Sequence, residues 1–188
     1  MISAILLAAG QSRRMGGENK LTKEIEGIPL IKRSVKNIID SAVDELIIVL
    51  GYQKEIIEKL IDKNEKIKFI FNKNFESGMA SSIKTGLNNL SEKTEAFFIC
   101  LGDMPMVNQN TYNHLIKSRN NKEIIVPTYK GQQGNPVLFD KSMKEKVLDI
   151  RGDVGAKKIL ELNKAKILNV KITNQSIRKD FNTKDDFI

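Results

Sequence analysis

The sequence predicts an α/β fold: a three-layer sandwich in which helices cover both faces of a mostly parallel sheet. Apolar runs of strand length alternate with segments of helical period, and the runs are continuously apolar, so they need cover on both sides. Glycine-bearing segments follow several of these runs, at the carboxyl edge where an open parallel sheet receives its ligands.

The elements follow in order. Ile2 to Leu7 is the first strand-like run, and Pro29 suits the first turn of a helix that reaches Asp40. Glu45 to Leu50 is the next strand, and Gln53 to Asp62 carries Ile56, Ile57, Leu60 and Ile61 at helical spacing. Ile67 to Phe71 and Ala96 to Leu101 read as strands, each followed by a helical pattern, Met79 to Leu90 and Asn108 to Ser118. Ile124 to Thr128, Pro136 to Phe139 and Ile167 to Ile172 complete the strands. Between two of them, Tyr129 to Asn135 reads either as a plain hairpin turn or as a mobile lid over a substrate.

Composition narrows the class. With 188 residues and 40% hydrophobic content, the chain can bury one good core but not two, which predicts a single domain over residues 1–188. The lone cysteine, Cys100, excludes an internal disulfide framework and a cysteine-rich zinc site, and it lies in an apolar strand. The apolar run at the N-terminus is too short for a membrane span and leads straight into Gln11-Ser12-Arg13-Arg14, so neither a signal peptide nor a span is expected. A cytoplasmic enzyme is the expectation. The formal net charge of +8 is mostly lysine mixed with acidic neighbours and lacks interleaved aromatics. This predicts solvated helix faces and no nucleic-acid partner, with the surplus charge helping to collect anionic substrates.

The most telling segment is Leu7-Ala8-Ala9-Gly10-Gln11-Ser12-Arg13-Arg14-Met15-Gly16-Gly17-Glu18-Asn19-Lys20. Small residues let backbone amides approach an anion, and Arg14 and Lys20 balance charge that amides alone cannot. It is not a Walker loop, because Glu18-Asn19 separates the last glycine from Lys20 and no hydroxyl follows that lysine. It is not a dinucleotide fingerprint either, because Gly10 has no glycine two residues on. A nucleoside triphosphate is the natural guest.

At this point the chain resembles a family. The Leu-Ala-Ala-Gly opening, the Ser-x-Arg-Met-Gly core and the lysine four residues past Gly16 are similar to the signature of the MobA-like nucleotidyltransferases, especially the molybdenum cofactor cytidylyltransferases. Further blocks stand in the same order: Asn72-x-x-Phe75-x-x-Gly78-Met79-x-x-Ser82-Ile83-x-x-Gly86, Gly102-Asp103-Met104-Pro105, Gly134-Asn135-Pro136-Val137-Leu138-Phe139, Gly152-Asp153-Val154-Gly155-Ala156, and Asn182-Thr183-x-Asp185-Asp186.

The resemblance implies a Rossmann-like nucleotidyltransferase fold and a reaction: CMP moves from CTP to the terminal phosphate of molybdopterin or molybdenum cofactor, releasing pyrophosphate with Mg as cofactor. Arg14 and Lys20 would hold the triphosphate, with Lys20 stabilising the leaving pyrophosphate and Asp103 completing the catalytic set. Leu7, Ala8, Ala9 and Gly10 would lie against the base, and Asn72, Gly78 and Ser82 would contact base and ribose. Asn135 and Asp153 would face the acceptor, Asp153 having an equal claim as a helix cap.

Asp103 would be one magnesium ligand, a role its place at the end of a buried strand also suits. Relatives often carry Asp-x-Asp-Thr where this chain has Asp180-Phe181-Asn182-Thr183, so Asn182 becomes the expected second ligand, with Asp180 as its substitute. Alanine at position 9 looks like the CTP-using branch, because guanylyltransferase relatives tend toward Leu-Ala-Gly-Gly. The partners implied are CTP, the molybdopterin cofactor, and transient contact with a molybdoenzyme or its chaperone, with no membrane. Two other readings stay open: nucleotidyl transfer to a sugar or alditol phosphate, and a nucleotide-binding chaperone without turnover. The single histidine, His114, sits in a helical pattern away from these blocks, which excludes histidine-based mechanisms and a serine hydrolase triad.

Overall fold

The computed structural model describes residues 1–12, 17–152, 155, 157–182 and 186. The strands are β1 (Ile2–Ala8), β2 (Glu24–Ile25), β3 (Ile28–Pro29), β4 (Glu45–Leu50), β5 (Ile67–Phe71), β6 (Ala96–Leu101), β7 (Ile124–Tyr129), β8 (Gln132–Gln133), β9 (Val137–Asp140) and β10 (Ile167–Lys171). The helices are α1 (Leu30–Ile39), α2 (Lys54–Lys59), α3 (Met79–Leu87), α4 (Gln109–Lys117), α5 (Lys144–Leu148) and α6 (Lys157–Leu162).

Among the described residues, one sheet runs in the order β10-β7-β9-β6-β1-β4-β5, with β8 paired to β7, while β2 and β3 form a separate small hairpin. The β1 strand is parallel to both β4 and β6, β4 to β5, and β10 to β7. Only β8 and β9 run against their neighbours in this sheet. The predicted mostly parallel α/β sandwich is therefore the observed one.

Successive side chains of β1 alternate between two cores, as the period of a strand requires. Ala4, Leu6 and Ala8 join Leu30, Ile31, Val35, Ile38, Leu46, Ile48, Phe98 and Leu115 under α1 and α4. Ile5 joins Ile47, Val49, Ile83, Leu87, Phe97, Phe139 and Val147 under α3 and α5. The Phe97 and Phe139 rings stack at 5.5 Å across the antiparallel β6–β9 pair, and Phe98 meets Tyr112 edge-on from the opposite face. Cys100 is buried in this core, as its strand position implied.

Some boundaries move for local reasons. Pro29 precedes α1, its φ of −52° preset for the turn while ψ stays extended at 137°. Pro136 drops out of β9, where it has no N–H for the ladder. The segment from Tyr129 is a tight hairpin: Thr128 pairs with Gln133 and Tyr129 with Gln132, and Lys130 and Gly131 both take positive φ. Its backbone is thus committed to strand pairing. His114 is exposed on α4.

Candidate active site

The chain leaves β1 for β4 and β5 on one side, then returns to place β6 on the other, so the order of strands reverses at β1. Beyond the carboxyl ends of β1 and β6 the connections diverge, the place where open α/β sheets receive their ligands. Small residues follow both strands, Ala9 and Gly10 after β1 and Gly102 after β6, where Asp103 comes next. The two ends are stitched together, since the Gly102 N–H donates to the Leu7 carbonyl at 3.1 Å. A Cβ on Gly102 would come within 2.9 Å of that carbonyl oxygen, so the close approach requires glycine.

Lys20 is delivered from the loop after β1. It opens a 3₁₀ turn, Lys20–Thr22, whose N-cap Asn19 accepts from the Leu21 N–H at 3.1 Å. Leu21 is buried and anchors the turn in the core, and the Lys20 N–H donates to Ser12 Oγ at 3.0 Å. With its backbone held, the ammonium reaches from the loop after β1 to the residues after β6. Lys20 Nζ lies 2.5 Å from Asp103 Oδ2 and 2.8 Å from Asn182 Oδ1. The side chains of Lys20 and Asp103 are each 17% exposed, sheltered but reachable from solvent.

Asn182 arrives with the last segment of the described chain. The buried Phe181 docks in the main core, and its N–H donates to the Asp103 carbonyl at 3.0 Å. The Asn182 backbone N–H donates to Asp186 Oδ2 at 2.9 Å, and its side-chain amide donates to Asp180. Asp180 therefore backs Asn182 from behind and turns the Oδ1 atom toward Lys20. Of the four residues predicted for catalysis or metal, three, Lys20, Asp103 and Asn182, meet at one point. Arg14, the fourth, and the acceptor candidate Asp153 lie outside the described residues.

The remaining predicted contacts are arranged around this point. Leu7 and Ala8 are strand residues, Ala8 and Ala9 are buried, and Gly10 is exposed at the lip. The Ala9 carbonyl accepts from the Tyr52 N–H at 3.3 Å, and the Tyr52 hydroxyl in turn donates to the Gly17 carbonyl at 3.2 Å. Asn72 and Ser82 come together, but with each other: Asn72 Nδ2 donates to Ser81 Oγ at 2.8 Å and Ser82 Oγ at 3.0 Å, while its Oδ1 accepts from the Asn74 N–H at 2.9 Å. The Asn72 side chain thus ties the loop after β5 to α3. Gly78 opens α3 at φ 103°, a conformation that favours glycine. Gln11 Nε2 donates to Glu76 Oε1 at 2.9 Å and joins this loop to the one after β1. Beside it runs a groove of about 590 Å³ lined by Lys73, Ser77, Ser81, Lys84 and Arg151 among others, next to Gly78 but not including Lys20 or Asp103.

Asn135 stands at the same carboxyl edge because β9 runs backwards and presents its beginning there. Its N–H donates to the Ile177 carbonyl at 2.8 Å, so the segment that carries Asn182 also fixes the Asn135 turn. Sequence reasoning missed this strap. Its signals were Ile177 and Phe181, apolar residues spaced among polar ones, which the structure buries.

No group of three or more His, Cys, Asp or Glu side chains that could hold a metal occurs among the described residues. What converges is one carboxylate oxygen and one amide oxygen, a hard-oxygen pair. That set suits magnesium, which keeps several of its waters and takes only one or two protein ligands.

The model described as the MobA-like NTP transferase domain matches residues 4–169. A probable molybdenum cofactor guanylyltransferase of Methanosarcina acetivorans is 34% identical over 131 residues, 68% of this chain and 57% of that protein. Another so named, from Methanosarcina mazei, is 31% identical over 147 residues, 75% of this chain and 64% of that protein. The matches thus span less than two thirds of either relative's length. Among solved structures, Rv0371c from Mycobacterium tuberculosis H37Rv superposes with a TM-score of 0.88 at 22% identity, covering 99% of this chain and 95% of the other. No helix among the described residues is long and apolar enough to cross a membrane.

Proposed function

Because the chain belongs to the MobA-like NTP transferase family, we propose that it transfers a nucleoside monophosphate from a ribonucleoside triphosphate to a phosphate-bearing acceptor. In the form we favour, the donor is CTP and the acceptor is the terminal phosphate of molybdopterin or molybdenum cofactor. The observation that carries the reading is the meeting of Lys20, Asp103 and Asn182 at the point where the strand order reverses.

An oxygen of the acceptor phosphate attacks the α-phosphorus in line. The new phosphorus–oxygen bond forms as the bond to the β-phosphate breaks, and pyrophosphate leaves with its electron pair. Both reactants are anions, so positioning and charge neutralisation carry the catalysis. Lys20 supplies a mobile cation for the leaving group, and Arg14 a second one from the same loop. Asp103 and Asn182 would hold magnesium through their side-chain oxygens. When bound, that ion neutralises phosphate oxygens and fixes their geometry. No covalent intermediate and no histidine base enters.

Cytosine as the base rests on Ala9 in the Leu-Ala-Ala-Gly run. A second reading, GTP as donor, is favoured by the names of the two Methanosarcina relatives. Pyrophosphate release measured with each of the four ribonucleoside triphosphates, against molybdopterin and against a sugar phosphate, decides both donor and acceptor. Turnover with a sugar phosphate but not with molybdopterin overturns the acceptor.

A further inference from the structure

The two oxygens that suit a divalent cation already share a cation of the protein's own. Lys20 Nζ sits 2.5 Å from Asp103 Oδ2 and 2.8 Å from Asn182 Oδ1, bridging them. We propose that in the nucleotide-free protein the Lys20 ammonium holds the seat of the divalent cation between Asp103 and Asn182, so that cation entry is conditional on a polyphosphate drawing Lys20 away. This rests on the nucleotidyl-transfer reading and adds an order of events to it.

Three features of the site support the exchange. The seat is preformed from the protein side: Asp180 accepts from the Asn182 amide and so keeps Oδ1 turned inward, while Phe181 is stitched to the Asp103 carbonyl. The occupant is tethered at its backbone and mobile beyond it, because Ser12 and Asn19 fix the Lys20 turn while four side-chain torsions remain free to swing the ammonium. Finally, an ammonium and a divalent ion cannot share two oxygens at this spacing, since like charges there repel in a sheltered environment. A triphosphate resolves the conflict by offering Lys20 a new anionic partner. Binding of cation and nucleotide is then positively coupled, and by linkage each raises the affinity of the other by the same factor.

The test follows free Mn²⁺ by electron paramagnetic resonance as it titrates the full chain. Wild type alone is expected to bind weakly, and wild type with a non-hydrolysable α,β-methylene CTP or GTP at least tenfold more tightly than without it. Lys20→Met alone is expected to gain at least tenfold over wild type without any nucleotide, and adding Asp103→Asn to it should abolish the gain. Lys23→Met removes a nearby cation that pairs with Glu18 at 2.6 Å and should behave as wild type, separating occupancy of the seat from a general change of charge. Circular dichroism checks that each variant is folded.

If Lys20→Met binds Mn²⁺ no better than wild type while the nucleotide still tightens it, the exchange is wrong and the transfer reading stands. A gain that survives Asp103→Asn, or appears equally in Lys23→Met, also overturns the proposal. If no nucleotide changes Mn²⁺ binding in wild type, the transfer reading itself fails and this inference falls with it.

Discussion

The N–H of Phe181 donates to the carbonyl of Asp103 at 3.0 Å, joining a buried aromatic of the C-terminal segment to the residue that carries the carboxylate just past β6. One residue later stands Asn182, so the anchoring of Phe181 decides where the Asn182 amide oxygen lies. Phe181→Leu keeps an apolar side chain but leaves part of its site empty. We expect a loss of about 1–2 kcal/mol in urea denaturation, and a fall in kcat of about ten- to a hundredfold from displacement of Asn182. A variant that is destabilised yet turns over normally would make this segment packing alone.

Lys20→Ala and Asp103→Ala each remove charge that the transition state would need. Turnover, measured as pyrophosphate release, should fall by about 10²–10³ in either variant, because each deletes one preorganised electrostatic contact. The fold should survive, since both side chains are partly exposed and belong to neither apolar core. Near-normal rates in either would place the chemistry elsewhere.

The sheet was legible because β1, β4 and β6 are continuously apolar, and a chain has few ways to cover such strands on both faces. Lys20, Asp103 and Asn182 were each singled out in the sequence, Lys20 by its place in the glycine loop, Asp103 by its place after a buried strand, and Asn182 through the family resemblance. Their mutual contact was not, because the partners stand 83 and 162 positions from Lys20, beyond any local pattern. The short helices α5 and α6, of 5 and 6 residues, were not read from the sequence. Asn72 and Ser82 were read as ligand contacts, yet their side chains hydrogen-bond to each other. A polar residue beside a binding loop looks the same in sequence whether it faces the ligand or braces the loop.

Asn72 separates these two roles by experiment. It is 3% exposed, and its side chain bridges the loop after β5 to Ser81 and Ser82. Asn72→Ala leaves the buried Ser82 hydroxyl and the Asn74 N–H short of a partner and takes one from the half-buried Ser81 hydroxyl, which should cost about 1–3 kcal/mol of stability. Thermal and urea unfolding would register that loss. A variant of unchanged stability whose KM for the nucleoside triphosphate rises tenfold would instead assign Asn72 to the ligand.

Cys100 and Tyr112 make the fold sensitive to alkali. Burial pushes the Cys100 thiol up from 9.0 to about 12, opposed by its hydrogen bond with Tyr112. The Tyr112 hydroxyl is raised as well, first by burial and then by the neighbouring Cys100. Both groups are held neutral in the native state, whereas the unfolded chain releases the thiol proton near pH 9. Above that pH the unfolded state binds fewer protons than the native one, so stability falls as pH rises, and the thiol's share of the loss runs from about pH 9 to about pH 12. Within that window one such group contributes about 1.4 kcal/mol per pH unit. Cys100→Ala opens a small gap in the core and lowers stability at neutral pH, but it should flatten the decline between pH 9 and pH 11. Denaturant midpoints compared across that range test the slope rather than the absolute value. Equal slopes in the two proteins would mean that the thiol ionises as readily in the folded chain as in the unfolded one.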